Sequence, residues 1–157
     1  AEKVKEIREV GARIRFITDG DVSAALFAVT GSGAVDLLWG IGGTPEGVIS
    51  AAAIKCLGGR ILGRLWPRDD RERDAAIAAG YDLDEILDQD RLVGGDNVFF
   101  AATGVTDGEL LQGVRYLSGG KASTESLIMR SRSGTVRTVR ATHDRAKLRE
   151  ITGGRYG

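Results

Sequence analysis

An apolar run that breaks into glycines and then opens a helix constrains this chain most: Asp36-Leu37-Leu38-Trp39-Gly40-Ile41-Gly42-Gly43-Thr44-Pro45-Glu46-Gly47. Such a stretch reads as strand, loop and helix in succession. Thr44 is a candidate cap, and Pro45 suits the first helical position, where no backbone N–H is needed. Free N–H groups at a helix start attract phosphate, and glycines let a ligand approach the backbone closely. Glu46 adds a carboxylate to the first turn, where the helix dipole favours its ionised form. Phosphate donors beside an ionised carboxylate suit a phosphate ester met by a divalent cation. The competing readings are a purely structural strand–helix turn and, for Glu46 alone, a dipole-stabilising first-turn residue.

The rest of the chain fits one layered α/β domain. Val4, Ile7 and Val10 recur at helical spacing, with Gly11 as a stop, which predicts a helix over 2–11. Residues 12–17 alternate basic and apolar side chains and predict a first strand. Residues 35–39, apolar apart from Asp36, predict a buried second. Further strands are expected over 60–66 and 97–102. Helices are expected over 22–29, 45–57, 67–79, 84–88 and 109–112. Gly31-Ser32-Gly33 reads as a turn. Ser133-Gly134 lies between strand-like runs at 127–132 and 135–141, a hairpin pattern, and 144–150 is helical. Alternating helices and strands imply a mixed, largely parallel sheet sandwiched by helices, closed by the antiparallel hairpin. The polar loops at Asp19–Asp21, Gly40–Glu46 and Thr103–Asp107 each follow an expected strand, so they are placed to converge on one edge.

Bulk properties exclude several classes. The 157 residues suit one domain, and 22 Lys+Arg against 22 Asp+Glu leave no basic excess for nucleic acid or an anionic membrane. No apolar stretch approaches the roughly 20 residues of a membrane span. No secretory signal pattern opens the sequence. The single cysteine, Cys56, permits no internal disulfide and suits a reducing cytoplasm. The chain opens on Ala1 inside a helical pattern, as a fragment or a processed product would.

Other motifs are weaker. Gly40-Ile41-Gly42-Gly43-Thr44-Pro45 invites a dinucleotide reading, but Pro45 occupies the third glycine position, and no acidic residue follows a strand at the expected distance. Asp19-Gly20-Asp21 offers two carboxylates on a sharp turn, able to accept from sugar hydroxyls or bind a hard cation; an ordinary capping turn explains it equally. His143 has no second histidine to make a metal pair, and Cys56 reads as a packed thiol. Arg130, Arg132, Arg137 and Arg140 make a basic hairpin, either a solvated face or a phosphate contact.

Five blocks together resemble the class II, bacterial-type fructose-1,6-bisphosphatases. They are Ile17-Thr18-Asp19-Gly20-Asp21-Val22, Gly40 to Gly47, Gly63-Arg64-Leu65-Trp66-Pro67-Arg68, Phe100 to Gly108, and Met129 to Arg137, all in the family's order. The resemblance runs from about Glu6 to His143 and covers only the family's C-terminal half. It implies removal of the 1-phosphate of fructose 1,6-bisphosphate with Mg²⁺ or Mn²⁺, in a cytoplasmic homo-oligomer. By resemblance, Asp19, Gly20 and Asp21 match the segment holding the sugar, Gly43 a substrate-contacting backbone position, and Glu46 a metal ligand. No catalytic residue is assigned to this half. The family's other metal carboxylates, its water-activating threonine and its D-P-x-[DE]-G-[ST] loop belong to an N-terminal half absent here, so this chain alone is expected to be inactive. Other readings are a bisphosphatase also accepting sedoheptulose 1,7-bisphosphate, a non-catalytic sugar-phosphate-binding module, and an assembly half.

Overall fold

The computed structural model describes residues 2–18, 20–30 and 35–153. Its core forms where one amphipathic strand meets one nearly apolar helix. Helix α1 (Glu2–Glu9) stands apart from this core and buries no residue. Helices α2 (Asp21–Thr30) and α3 (Thr44–Leu57) follow and pack on each other. The short strands β1 (Leu62–Gly63) and β2 (Leu87–Asp88) pair antiparallel around helix α4 (Asp70–Ala78), with the one-turn helix α5 (Gln89–Leu92) after them. Strands β3 (Phe99–Thr103), β4 (Arg115–Leu117), β5 (Lys121–Arg130) and β6 (Thr135–Asp144) form the main sheet, and α6 (Arg145–Ile151) ends the described chain.

β5 organises the sheet. β3 and β4 share one of its edges and β6 takes the whole of the other, with Phe100 opposite Met129 and Ala122 opposite His143. Leu127 and Met129 alternate along β5 onto one face, as the two-residue period of a strand requires, while Ala122, an odd number of residues away, is buried on the other. The face of Leu127 and Met129 receives Ala53 and Cys56 of α3 and Leu26 of α2, together with Phe100. Leu26 and Met129 are each 1% exposed, the largest side chains fully removed from water. The close packing of α2 on the end of α3 depends on Gly59, where a Cβ would fall onto the γ-carbons of Val29.

Capping follows local chemistry. Asp69 accepts the Glu72 N–H at 2.8 Å to start α4, and Asp144 accepts from Ala146 at 3.0 Å to start α6. α3 instead starts at Gly43, whose side-chain-free position makes no cap bond; Thr44, expected as the cap, lies inside the helix.

The α/β class, the hairpin and the helices flanking the glycine loop match expectation, but the parallel sheet does not. Among the described residues every strand pairing is antiparallel. Residues 12–17 and 35–39 run without a ladder, and Phe16, Leu37 and Trp39 are 67%, 77% and 62% exposed. An apolar or alternating run specifies a strand only where a neighbour accepts its hydrogen bonds, and β5 already has both edges occupied where it pairs. The helix expected over 84–88 is replaced by β2, because Asp88 is extended (φ −95°, ψ −177°) to cap α5. The helix expected over 109–112 is a looped stretch whose Gln112 N–H turns outward to Glu125. The Gly31–Gly33 turn lies outside the described residues.

No helix among the described residues is long and apolar enough to cross a membrane.

Candidate active site

The candidate site is built where α2 and α3 begin. Gly20 adopts φ +79°, a conformation that costs glycine nothing and an L side chain a good deal, and its carbonyl accepts the Ala24 N–H at 3.0 Å to start α2. This leaves Asp21 in the first turn with its carboxylate directed at the glycine loop. A Cβ on Gly42 would stand 2.9 Å from Asp21 Oδ2. The neighbouring Gly43 is backed by a second carboxylate, since a Cβ there would overlap Oε2 of Glu46. Consecutive glycines thus hold two carboxylates from two different helices against one exposed stretch of backbone.

Of the residues expected to form a site, the structure therefore brings Gly20, Asp21, Gly43 and Glu46 to one corner. Asp19 lies outside the described residues. Gly42 belongs to the corner as much as Gly43 does; the doubled glycine was the signal for it. The first turn of α3 adds unpartnered backbone N–H groups and the positive end of the helix dipole.

A cavity of about 320 Å³ adjoins this corner. One wall is the first turn of α2, at Val22 and Ser23, and the other is the segment after β3, at Thr103, Gly104, Thr106 and Gly108. The loop after β3 thus faces the start of α2 across the cavity, and the glycine loop approaches α2 through Gly42 and Asp21. Arg15 reaches the same edge, donating to Glu109. A smaller cavity of about 150 Å³ lies between Thr44 and the Trp66-Pro67 segment, so the block at 63–68 also stands at the start of α3.

The other candidates resolve as packing or surface chemistry. Cys56 is buried, its Sγ 3.6 Å from the Val98 carbonyl, and burial pushes its thiol above the usual range. His143 Nε2 is bonded to Thr124 Oγ1 at 2.9 Å across β5 and β6. In the basic hairpin, Arg130 donates to Asn97 at 2.8 Å and lies over the Phe99 ring, while Arg140 reaches Glu125 at 3.4 Å.

Oxygen donors at Glu46 and Asp21, exposed or half-buried beside a helix start, fit a hard divalent cation. They are too few to enclose one: among the described residues no three carboxylate, histidine or cysteine side chains group as a metal site.

Comparison with known proteins shows the family. The sequence profile of the family described as bacterial fructose-1,6-bisphosphatase, glpX-encoded, matches residues 1–143. Two relatives from Synechococcus strains JA-2-3B'a(2-13) and JA-3-3Ab, each named D-fructose 1,6-bisphosphatase class 2/sedoheptulose 1,7-bisphosphatase, are 44% identical over 153 positions, covering 89% of this chain and 44% of theirs. A Haemophilus influenzae relative named fructose-1,6-bisphosphatase class 2 is 41% identical, covering 89% of this chain and 46% of its own. The chain belongs to this family, the class 2 fructose-1,6-bisphosphatases of bacteria. It spans less than half the length of these relatives.

Proposed function

We propose that this chain is the C-terminal half of a divalent-metal-dependent fructose-1,6-bisphosphate 1-phosphatase, supplying the sugar-binding turn and one metal ligand. The observation that carries the proposal is the meeting of the Asp21 and Glu46 carboxylates on Gly42–Gly43 at the start of α3. Asp19 and Asp21 accept hydrogen bonds from sugar hydroxyls, and Gly20 shapes the start of α2 that presents Asp21. Gly43 lets the substrate lie against the backbone, with the first-turn N–H groups of α3 facing its phosphate. Glu46 is the ligand offered to Mg²⁺ or Mn²⁺, and a bound cation supplies charge neutralisation at the phosphoryl oxygens and a lowered pKa for attacking water. The remaining carboxylates come from the preceding half of the protein, in a homo-oligomer. No acid, base or nucleophile of the reaction is assigned to this half.

A second substrate is favoured by one observation: two relatives carry sedoheptulose 1,7-bisphosphatase in their names. The two sugars share their reacting end, so the same corner serves both.

The test is Glu46→Ala in the full-length protein that carries this chain, followed by phosphate release from fructose 1,6-bisphosphate across a Mn²⁺ titration. The proposal expects most metal-dependent turnover to disappear. Near-normal turnover at ordinary Mn²⁺ concentrations refutes the assignment of Glu46.

A further inference from the structure

The segment between β3 and β4 is built with more care than a connection needs. Its chain folds back on itself so closely that two positions admit only glycine. A Cβ on Gly104 would overlap the Gln112 carbonyl oxygen, and one on Gly113 would lie 2.6 Å from the Thr106 carbonyl carbon. Within the loop Val114 N–H donates to the Val105 carbonyl at 3.1 Å, Gly108 N–H to the Leu111 carbonyl at 3.1 Å, and Gly113 N–H to Asp107 Oδ1 at 3.0 Å. Compact loops with joined ends and internal packing are frequently functional.

One residue outside the loop closes it. Glu125, midway along β5, accepts the Gly104 N–H on its backbone carbonyl at 3.0 Å and the Gln112 N–H on its carboxylate at 2.7 Å. It therefore grips both ends of the fold-back. Its side chain is only 16% exposed, and its second oxygen faces Arg140 at 3.4 Å. A charge withdrawn this far from water is well supported by hydrogen bonds to the ionised form. Losing it would leave the Gln112 N–H without its partner.

The loop so held faces the sugar-binding turn. Thr103, Gly104 and Thr106 line the cavity of about 320 Å³ whose opposite wall is Val22 and Ser23, immediately after Asp21. The Ser23 hydroxyl lies 3.6 Å from where a Cβ of Gly20 would stand, so turn and cavity are continuous. Leu26, Phe100 and Leu111 give the cavity an apolar floor, the Thr103 hydroxyl is bonded to Ser126 Oγ at 2.8 Å, and Ser23 and Thr106 bring hydroxyls to opposite walls, a lining that takes the carbon face and the hydroxyls of a polyol.

We infer that the loop over residues 104–113 is the second wall of the sugar pocket, and that Glu125 is the positioning residue that fixes it opposite Gly20–Asp21. The inference rests on the reading of that turn as the sugar site. Glu125 touches no substrate and acts through the loop.

The test uses full-length protein and initial rates on fructose 1,6- and sedoheptulose 1,7-bisphosphate with Mn²⁺. In Glu125→Ala, the KM for both sugars rises by about tenfold or more while kcat changes little, because ground-state positioning is lost. In Glu125→Gln an amide oxygen still accepts the Gln112 N–H, so KM returns to within about threefold of wild type. Thr106→Val, isosteric and remote from the Glu125 bonds, raises KM by itself and serves if Glu125→Ala does not fold. A KM unchanged in Thr106→Val, with Glu125→Ala either unchanged or merely less stable to heat, overturns the inference while leaving the bisphosphatase reading intact. A wild-type protein that releases no phosphate from either sugar overturns both.

Discussion

Replacing Gly43 by alanine separates the chemistry of the corner from its folding. The backbone at Gly43, φ −70° and ψ 149°, is open to alanine, so the change introduces no conformational strain. As an N-cap, alanine is poorer than glycine by up to about 1 kcal/mol. That is small against the roughly 5–15 kcal/mol of an ordinary domain, so the protein stays folded. The added methyl, however, falls on the Glu46 carboxylate, which is exposed and can only swing away. A misplacement of about 1 Å in a catalytic group costs on the order of 10²-fold, or about 2.7 kcal/mol of barrier, several times the folding effect. The assay is phosphate release across a Mn²⁺ titration by full-length Gly43→Ala, Glu46→Ala and the double variant. If the methyl acts by displacing Glu46, the double variant is no worse than Glu46→Ala alone, since both changes remove one interaction. Losses that multiply, or a Gly43→Ala enzyme matching wild type at every Mn²⁺ concentration, refute the reasoning.

Two further predictions concern the frame. Gly59→Ala drives a methyl onto Val29 where α2 packs on α3, and lowers stability by about 1–3 kcal/mol, seen as a clear fall in melting temperature; an unchanged melting temperature contradicts this packing. Burial favours the neutral thiol of Cys56, so its folded pKa lies above the unfolded one. The stability this confers is complete below the ordinary thiol value of about 8.5 and declines as pH rises past it. Urea midpoints of wild type and Cys56→Ala should therefore converge between neutral and alkaline pH, and a constant gap refutes the burial argument.

Local chemistry made much of the molecule legible in advance. The doubled glycine, Pro45 and Glu46 announced α3 and the corner at its start, and Ser133-Gly134 announced the hairpin, because each signal is complete within a few residues. The Thr44 cap was misplaced by one position because glycine takes the cap role without a side chain. What failed needed distant partners. Residues 12–17 and 35–39 carry strand patterns, yet a strand exists only with a neighbour to bond, and no such neighbour is present among the described residues. The stretch at 109–112 has helical composition, but Glu125, far along the chain, takes the Gln112 N–H instead. That same long-range bond is why Glu125 gave no sign of itself in the sequence. The Asp21–Gly42 approach was foreseeable only as convergence of loops, not as a contact.

The most direct measurement compares phosphate release from fructose 1,6-bisphosphate by the full-length protein and by residues 1–157 alone, each with Mn²⁺ and with a chelator. With one metal ligand and no catalytic acid, base or nucleophile assigned to this half, the full-length protein should turn over only with metal and residues 1–157 should be silent. Full metal-dependent activity from residues 1–157 alone, or none from the full-length protein, contradicts the account.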